Sequence, residues 1–447
     1  MKKMTEGSAA RLIVAFAIPM LIGNVFQQLY SMADMFIVGH TISTEALGAI
    51  GCTGSISMLL IHFSTGLTGG FCILTARYFG ADDEKSVRKS FATGLFLSFG
   101  CILLLTAAAL VLLKPFLQLI KTREELFDDA HAYIQIVVAG IGATVLYNYF
   151  AGILRAFGDS RSPLYVLIIA SLVNVGLDYL LILVFRMGVR GAALATVTSQ
   201  LLSAVLCLLL ILKKLPVLRL GKEDLRIEGQ AVKQHLAVGV PMAFQWSLIS
   251  IGQIVMQSAL NQLSTDAVTA FSAASKIDLF ALMPSMSFSS AMTAYVPQNY
   301  GARDPKRIRE GVRTCCLIAG SFCMTVGIVN FIFGGTFASF FIGSGKKELI
   351  DLAQRYLRIT GPCYFLHALL MIYRNSAQGL GRIFSPVLSG IMELLMRFLT
   401  AFVLVPFFGF TGACFSSPLS WIAAGIPLAI SYYTGLKQFE KQLKKAG

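Results

Sequence analysis

LIVAFAIPMLIGNVFQQLYSMADMFIV, residues 12–38, stays apolar for longer than the about 20 residues that cross the hydrocarbon of a bilayer. Lys2 and Lys3 ahead of it give the charged start of a secretory signal. A signal, however, has an apolar core of about 7–15 residues and a small-residue cleavage site, so this longer stretch is expected to be retained as a membrane helix. Comparable runs follow near 45–76, 90–113, 129–156, 163–185, 191–212, 236–261, 266–297, 311–342, 350–379, 387–408 and 411–435. Together they predict an all-α integral membrane protein with 12 transmembrane helices.

Composition agrees. Apolar residues make up 56% of the 447 and charged residues 13%, against about 45–50% and about 25% in soluble domains. An ordinary soluble enzyme is excluded, and no length remains for a sizeable soluble domain. The nine cysteines, among them Cys52, Cys72, Cys101, Cys207 and Cys323, sit in apolar runs without metal-ligand spacing and read as small packing residues.

The net charge of +14 is topological. With the N-terminus inside, 25 of the 37 Lys and Arg fall on cytoplasmic segments, 9 on outer segments, and Lys276, Arg374 and Arg397 within helices. The positive-inside rule then puts both termini in the cytoplasm of a multi-pass cell-membrane protein. No nucleic-acid partner is expected.

Shifting the chain by 221 residues lays Ser43-Thr44-Glu45-Ala46-Leu47 on Ser264-Thr265-Asp266-Ala267-Val268 and Gly80-Ala81 on Gly301-Ala302. The same step lays Asp83, Lys85 and Arg88 on Asp304, Lys306 and Arg309, and Gly188, Gly191 and Ala192 on Gly409, Gly412 and Ala413. Six helices per repeat is an even number, so the two halves enter the membrane in the same sense, as in transporters with parallel repeats. The expected organisation is an N-terminal lobe over 1–212, a cytoplasmic linker over 213–235, a C-terminal lobe over 236–436 and a basic tail over 437–447.

A carboxylate at the centre of a membrane helix costs about 2.5–3.5 kcal/mol, so one that is kept is a functional candidate. The first lobe has two, Asp34 and Asp178. Gln27, Tyr30, Ser31 and Asp34 form a polar stripe at helical spacing on the first helix; Ser171, Asn174 and Asp178 form one on the fifth, and Thr196 and Gln200 one on the sixth. If the stripes converge, they make a pocket of carboxylate, amide and hydroxyl groups; taken singly, the uncharged members serve equally well as glue between helices. A carboxyl group holds its proton more tightly where it is poorly solvated, so the pocket could exchange a proton near neutral pH. Asp34, Asn174, Asp178 and Thr196 could equally give oxygen ligands to Na+.

The repeat puts Met256 or Gln257 opposite Asp34 and Leu399 opposite Asp178, so the second lobe did not keep the acids. It carries Lys276, Asp278, Glu393 and Arg397 instead, and the spacing of four between Glu393 and Arg397 predicts an ion pair on the helix surface with a structural role. His62 and His367 read as satisfied core histidines.

The chain resembles the multidrug and toxic compound extrusion (MATE) transporters over nearly its full length, and looks closest to bacterial members including the DinF-like branch. The resemblance rests on Pro19 with Met32-Ala33-Asp34 and Gly39, Tyr78-Phe79-Gly80-Ala81, Asn174 with Asp178, Gly188-x-x-Gly191-Ala192-Ala193 before Thr196, and Gln298-Asn299-Tyr300-Gly301-Ala302. It implies two six-helix bundles and alternating-access efflux of cationic, amphipathic small molecules by antiport with H+ or Na+, without a cofactor and with a monomer as the transport unit. Carried over by position, it implies cation coupling at Asp34, Asn174, Asp178 and Thr196. Sodium-coupled relatives place a carboxylate in the seventh helix, where this chain has Gln245, Gln253 and Gln257, which are kept as cavity candidates with Gln27, Tyr30, Ser31 and Gln200. That departure favours proton coupling in the first lobe.

A flippase for lipid-linked precursors is the alternative within transport; it would call for extra helices or a cationic cleft, and the first-lobe interior is acidic. An intramembrane enzyme lacks support, since no His-x-x-x-His pair and no Gly-x-Ser-x-Gly elbow is present.

Overall fold

The computed structural model describes residues 3–119, 123–343 and 345–446; Lys2 of the basic N-terminus lies outside them. Among the described residues there is no strand. The chain runs through α1 (Ala9–Thr41), α2 (Thr44–Gly80), α3 (Glu84–Leu119), α4 (Glu124–Ala139), α5 (Ile141–Ala156), α6 (Arg161–Asp178) and α7 (Gly188–Lys214). It continues through α8 (Gly229–Leu260), α9 (Thr265–Gly301), α10 (Pro305–Ile342), α11 (Lys347–Thr360), α12 (Tyr364–Gly379), α13 (Phe384–Leu399), α14 (Val405–Cys414) and α15 (Ser416–Ala446).

These make the twelve expected segments, because three of them are broken. α4 and α5 meet at a 44° bend, α11 and α12 at the short turn Gly361–Cys363, and α13 runs on into α14 through the π-helical turn Thr400–Leu404, with its kink at Gly409. Among the described residues, ten helical segments are long and apolar enough to span a membrane, and the bent α4–α5 pair makes eleven. The twelfth, α11–α12, falls short of that apolarity because its first half carries Lys347, Glu348, Asp351, Arg355 and Arg358. Outward-facing side chains such as Leu103, Phe340 and Phe407 are exposed and apolar, which is a surface suited to lipid rather than water. α9 is the most deeply packed span, and Ala270, Ala274, Ala281, Ser285 and Ala291 are the small residues that let neighbours approach it.

The 221-residue repeat is visible in the backbone. Asp82 and Arg303 both hold φ 58°, and Gly188 and Gly409 both hold φ 56°. The π turn Tyr179–Val184 after α6 recurs as Thr400–Leu404 after α13, and the break at Gly140 recurs at Gly361. Helix starts match too: Ser43 Oγ accepts from the Ala46 amide at 3.0 Å, and Ser264 Oγ from the Ala267 amide at 3.2 Å. At Gly140 the reason for glycine is contact with α7, since a Cβ there would lie 2.3 Å from Val197 Cγ1.

Packing divides the chain into two compact units, and the division does not fall at the 213–235 segment. One unit comprises Ile22–Phe79 and Asp83–Ala243; the other comprises 3–21, Gly80–Asp82 and 244–446. The first half of α8 thus packs with the first unit and the first turns of α1 with the second. Helix α7 ends at Lys214 and α8 begins at Gly229, so the non-helical connection is shorter than expected apart from the turn Pro216–Leu218.

Candidate functional site

In the first unit, α1 presents Tyr30 and Asp34 one turn apart, α4 presents Tyr133, α6 presents Asn174 and Asp178 one turn apart, and α7 presents Thr196. The predicted stripes of α1, α6 and α7 do converge. Asp34 and Asp178 stand close enough to act on each other, and Tyr30 and Tyr133 join them and Thr196 in one cluster. Thr196 Oγ1 donates to the Ala192 carbonyl at 3.0 Å, within its own helix. Ile37, Val38, Ile182, Val189 and Ala192 pack beside the cluster.

Burial is complete at Asn174 and Asp178. Asp34 Oδ1, both oxygens of Asp178, both side-chain polar atoms of Asn174 and Gln200 Oε1 are buried without a hydrogen-bond partner. Unpartnered buried polar atoms are rare and costly in folded proteins, and here six of them lie on three converging helices. Two neighbouring buried carboxyls disfavour joint ionisation, because each negative charge raises the cost of the other where water is scarce.

Asp178 is the last α-helical residue before the π turn Tyr179–Val184. Such turns collect at functional sites. The second unit keeps the turn with Leu399 in place of the acid, so the turn belongs to the repeat and the carboxylate alone marks the site.

Other sequence candidates stand elsewhere. Gln27 is exposed, and Ser31 Oγ donates to the Gln27 carbonyl at 3.0 Å, within its own helix. In the second unit Gln245 is fully buried and its Oε1 accepts from Gln378 Nε2 at 2.9 Å. Gln253 and Gln257 are exposed, and Gln257 Nε2 donates to Asn261 Oδ1 at 2.9 Å.

The second-unit charges differ from the expectation. Glu393 does not pair with Arg397; its Oε1 is held by Arg374 Nη2 across from α12, and Arg374, only 1% exposed, also donates to Ser389 Oγ at 3.2 Å. The pair is buried rather than on the surface. Asp278 accepts from Tyr356 OH at 2.6 Å and from Tyr364 OH. Lys276 is exposed, with Nζ 5.9 Å above the Phe341 ring. His367 is a satisfied core histidine, its Nδ1 2.6 Å from Ser285 Oγ.

Sequence reasoning left Tyr133 unnamed and took Arg374 only as a charge within a helix; its partner is on another helix, where spacing rules do not see it.

Comparison with known proteins bears on the chain as a whole. The MatE family pattern matches residues 19–180 and 241–403, one copy per repeat. "Probable multidrug resistance protein YpnP" of Bacillus subtilis (strain 168) is 27% identical over 361 residues, covering 79% of this chain and 79% of its own length. "DNA damage-inducible protein F" of Escherichia coli (strain K12) is 25% identical over 357 residues, covering 76% and 74%. Among solved structures, "Outward-facing conformation of a multidrug resistance MATE family transporter of the MOP superfamily" superposes with a TM-score of 0.88 at 22% identity, covering 99% of both chains. That likeness shows the fold.

Proposed function

The chain belongs to the MatE family, whose members are membrane transporters rather than enzymes, and on that footing we propose that it is a secondary active multidrug exporter driven by inward flow of H+. Its substrates in this reading are cationic, amphipathic small molecules, and a monomer in the cell membrane with both termini in the cytoplasm carries them by alternating access. The observation that carries the reading is the half-buried Asp34 beside the fully buried Asp178, with three unpartnered oxygens and, among the described residues, no basic group bonded to them.

With a proton absent, the pair carries charge that a cationic substrate or Na+ can balance; with a proton shared, that charge falls and the cation is released. Coupling requires the ion to bind the two conformations with different affinity. Helix α1, which brings Asp34, also contains Pro19, and a proline removes a helix hydrogen bond and provides a place to bend. H+ is preferred to Na+ because Gln245, Gln253 and Gln257 give α8 no carboxylate.

The test is efflux of ethidium from proteoliposomes under an imposed pH gradient or sodium gradient, beside Asp34→Asn. Transport that follows the pH gradient and is lost in the variant supports the reading. A response to sodium alone transfers the same site to Na+, and an active Asp34→Asn variant removes the site from the mechanism.

A further inference from the structure

We propose that Arg397 on α13 recognises an oxyanion, the carboxylate or phosphate of an amphiphilic organic substrate, inside the second unit. This rests on the reading of the chain as an exporter of amphiphiles, and extends the substrate class from cations to molecules that also carry an acidic group.

Arg397 lies in mid-span, where a cation is costly unless it is paired or meets water or substrate. The nearby acids are already engaged. Glu393, one turn before it, is held by Arg374, and the Asp278 oxygens are occupied by the Tyr356 and Tyr364 hydroxyls. Arg397 therefore feels Glu393 and Tyr356 at a distance but, among the described residues, forms no ion pair, and its buried Nε has no acceptor.

Room has been made for the side chain. Its stem lies across α8 at Gly252, where a Cβ would sit 2.6 Å from Arg397 Cδ, so any larger residue would displace it. A guanidinium held by its stem, with its fork uncommitted, suits two parallel hydrogen bonds to a carboxylate or phosphate. The polarity is opposite to that of the first unit, which buries two acids with no base bonded to them.

A matched pair of dyes tests this: rhodamine 110, which carries a free carboxylate, and rhodamine 123, its methyl ester. Binding is followed by fluorescence polarisation to the purified protein in phosphatidylcholine nanodiscs, a readout independent of coupling and of efflux. The wild type is expected to prefer the acid to the ester. Arg397→Gln should lower that preference roughly tenfold or more, the scale of a lost charge-assisted hydrogen bond; Arg397→Lys should fall between; and Gly252→Ala should reduce it without changing any charge.

No preference in the wild type, or a preference retained in Arg397→Gln, overturns the proposal. Loss of the preference on adding phosphatidylglycerol assigns the guanidinium to a lipid headgroup and overturns the substrate assignment. Failure of ethidium efflux with the acid preference intact counts against the exporter reading and leaves this site standing.

Discussion

Asp34 on α1 and Asp178 on α6 come together in one cluster, with Asp34 Oδ1 and both Asp178 oxygens buried and, among the described residues, without a hydrogen-bond partner. The two residues are 144 positions apart in sequence and come from helices whose remaining surface is largely apolar. Such an arrangement spends stability on a site, because an uncompensated pair of acids disfavours the packed state around it.

Replacing either acid by its amide should therefore stabilise the protein while disabling it. Asp34→Asn and Asp178→Asn are each expected to abolish gradient-driven efflux, and to raise the melting temperature in detergent by roughly 1 °C, the shift that about 1 kcal/mol gives in a chain of this size. Scanning fluorimetry on the two variants checks this, and a lower melting temperature in both would mean that the acids are structural.

Tyr133→Phe should slow efflux by about fivefold without loss of stability. The hydroxyl stands in the cluster with Thr196 and both acids, and one polar contact of that kind is worth about 1 kcal/mol. Initial rates in proteoliposomes, compared at matched protein content, decide it; an unchanged rate would place Tyr133 outside the working site.

The Arg374–Glu393 pair is predicted to behave as a unit. Arg374→Met or Glu393→Leu alone strands a buried charge and should cost about 3–5 kcal/mol, whereas the two together should come within about 1 kcal/mol of wild type. Yield and melting temperature of the three variants close the cycle. A double variant as impaired as the singles would show that one of these side chains has a further obligatory role.

These particular residues also show what the sequence could and could not reveal. Asp34 and Asp178 were legible because carboxylates are rare in membrane spans and cost enough to be conspicuous. The repeat was legible because Gly188 and Gly409 sit where φ is positive and Ser43 and Ser264 cap helices, so the same local chemistry had to recur. Ser31 shares the Asp34 stripe by spacing, and its hydroxyl donates to the carbonyl four residues back, as a serine within a helix readily does. Glu393 misled, since the same-helix neighbour Arg397 satisfies the spacing rule while Arg374 on α12 satisfies the geometry. The extent of the two packed units was not legible because α1 and α8 each contribute to both, and periodicity carries no information on which neighbour a helix leaves halfway.

The turn ahead of α6 should make stability depend on pH. Burial alone would push the Asp159 carboxyl up, but the Ser162 hydroxyl at 2.5 Å, the Ser162 amide at 2.9 Å and the Lys214 ammonium at 3.3 Å outweigh it and hold the group below the ordinary carboxylate range. A depressed folded pKa contributes stability that is full above the unfolded value of about 3.9 and is lost as pH falls through the folded value. Asp159→Asn should thus lower the melting temperature at pH 7 and approach wild type below about pH 4. A deficit equal at both pH values would assign the loss to the geometry of the cap rather than to its charge.

The final expectation concerns the segment before α1. The Met4 amide donates to Gln298 Oε1 at 2.8 Å, and the Met4 carbonyl accepts from Asn299 Nδ2 at 3.1 Å and Arg307 Nη2 at 3.3 Å. Arg307 also reaches the Gly7 carbonyl at 3.0 Å and Asn299 Oδ1 at 3.2 Å. The Gln298-Asn299 pair, which the sequence offers only as part of a motif, is therefore a clamp on the chain's own N-terminal strap. Because α1 continues from this strap to Asp34, loosening the clamp frees the start of the helix that carries the acid. Arg307→Gln removes both of these carbonyl contacts and should speed amide exchange over residues 4–8 by about tenfold or more, since one or two lost hydrogen bonds release roughly 1–3 kcal/mol of local stability. Exchange around Asp178 should be unchanged, because α6 does not depend on the strap. Hydrogen exchange read by mass spectrometry reports both regions in one experiment; equal acceleration in both would mean that Arg307 supports the whole fold, and no acceleration at 4–8 would mean that Gln298 and Asn299 hold the strap unaided.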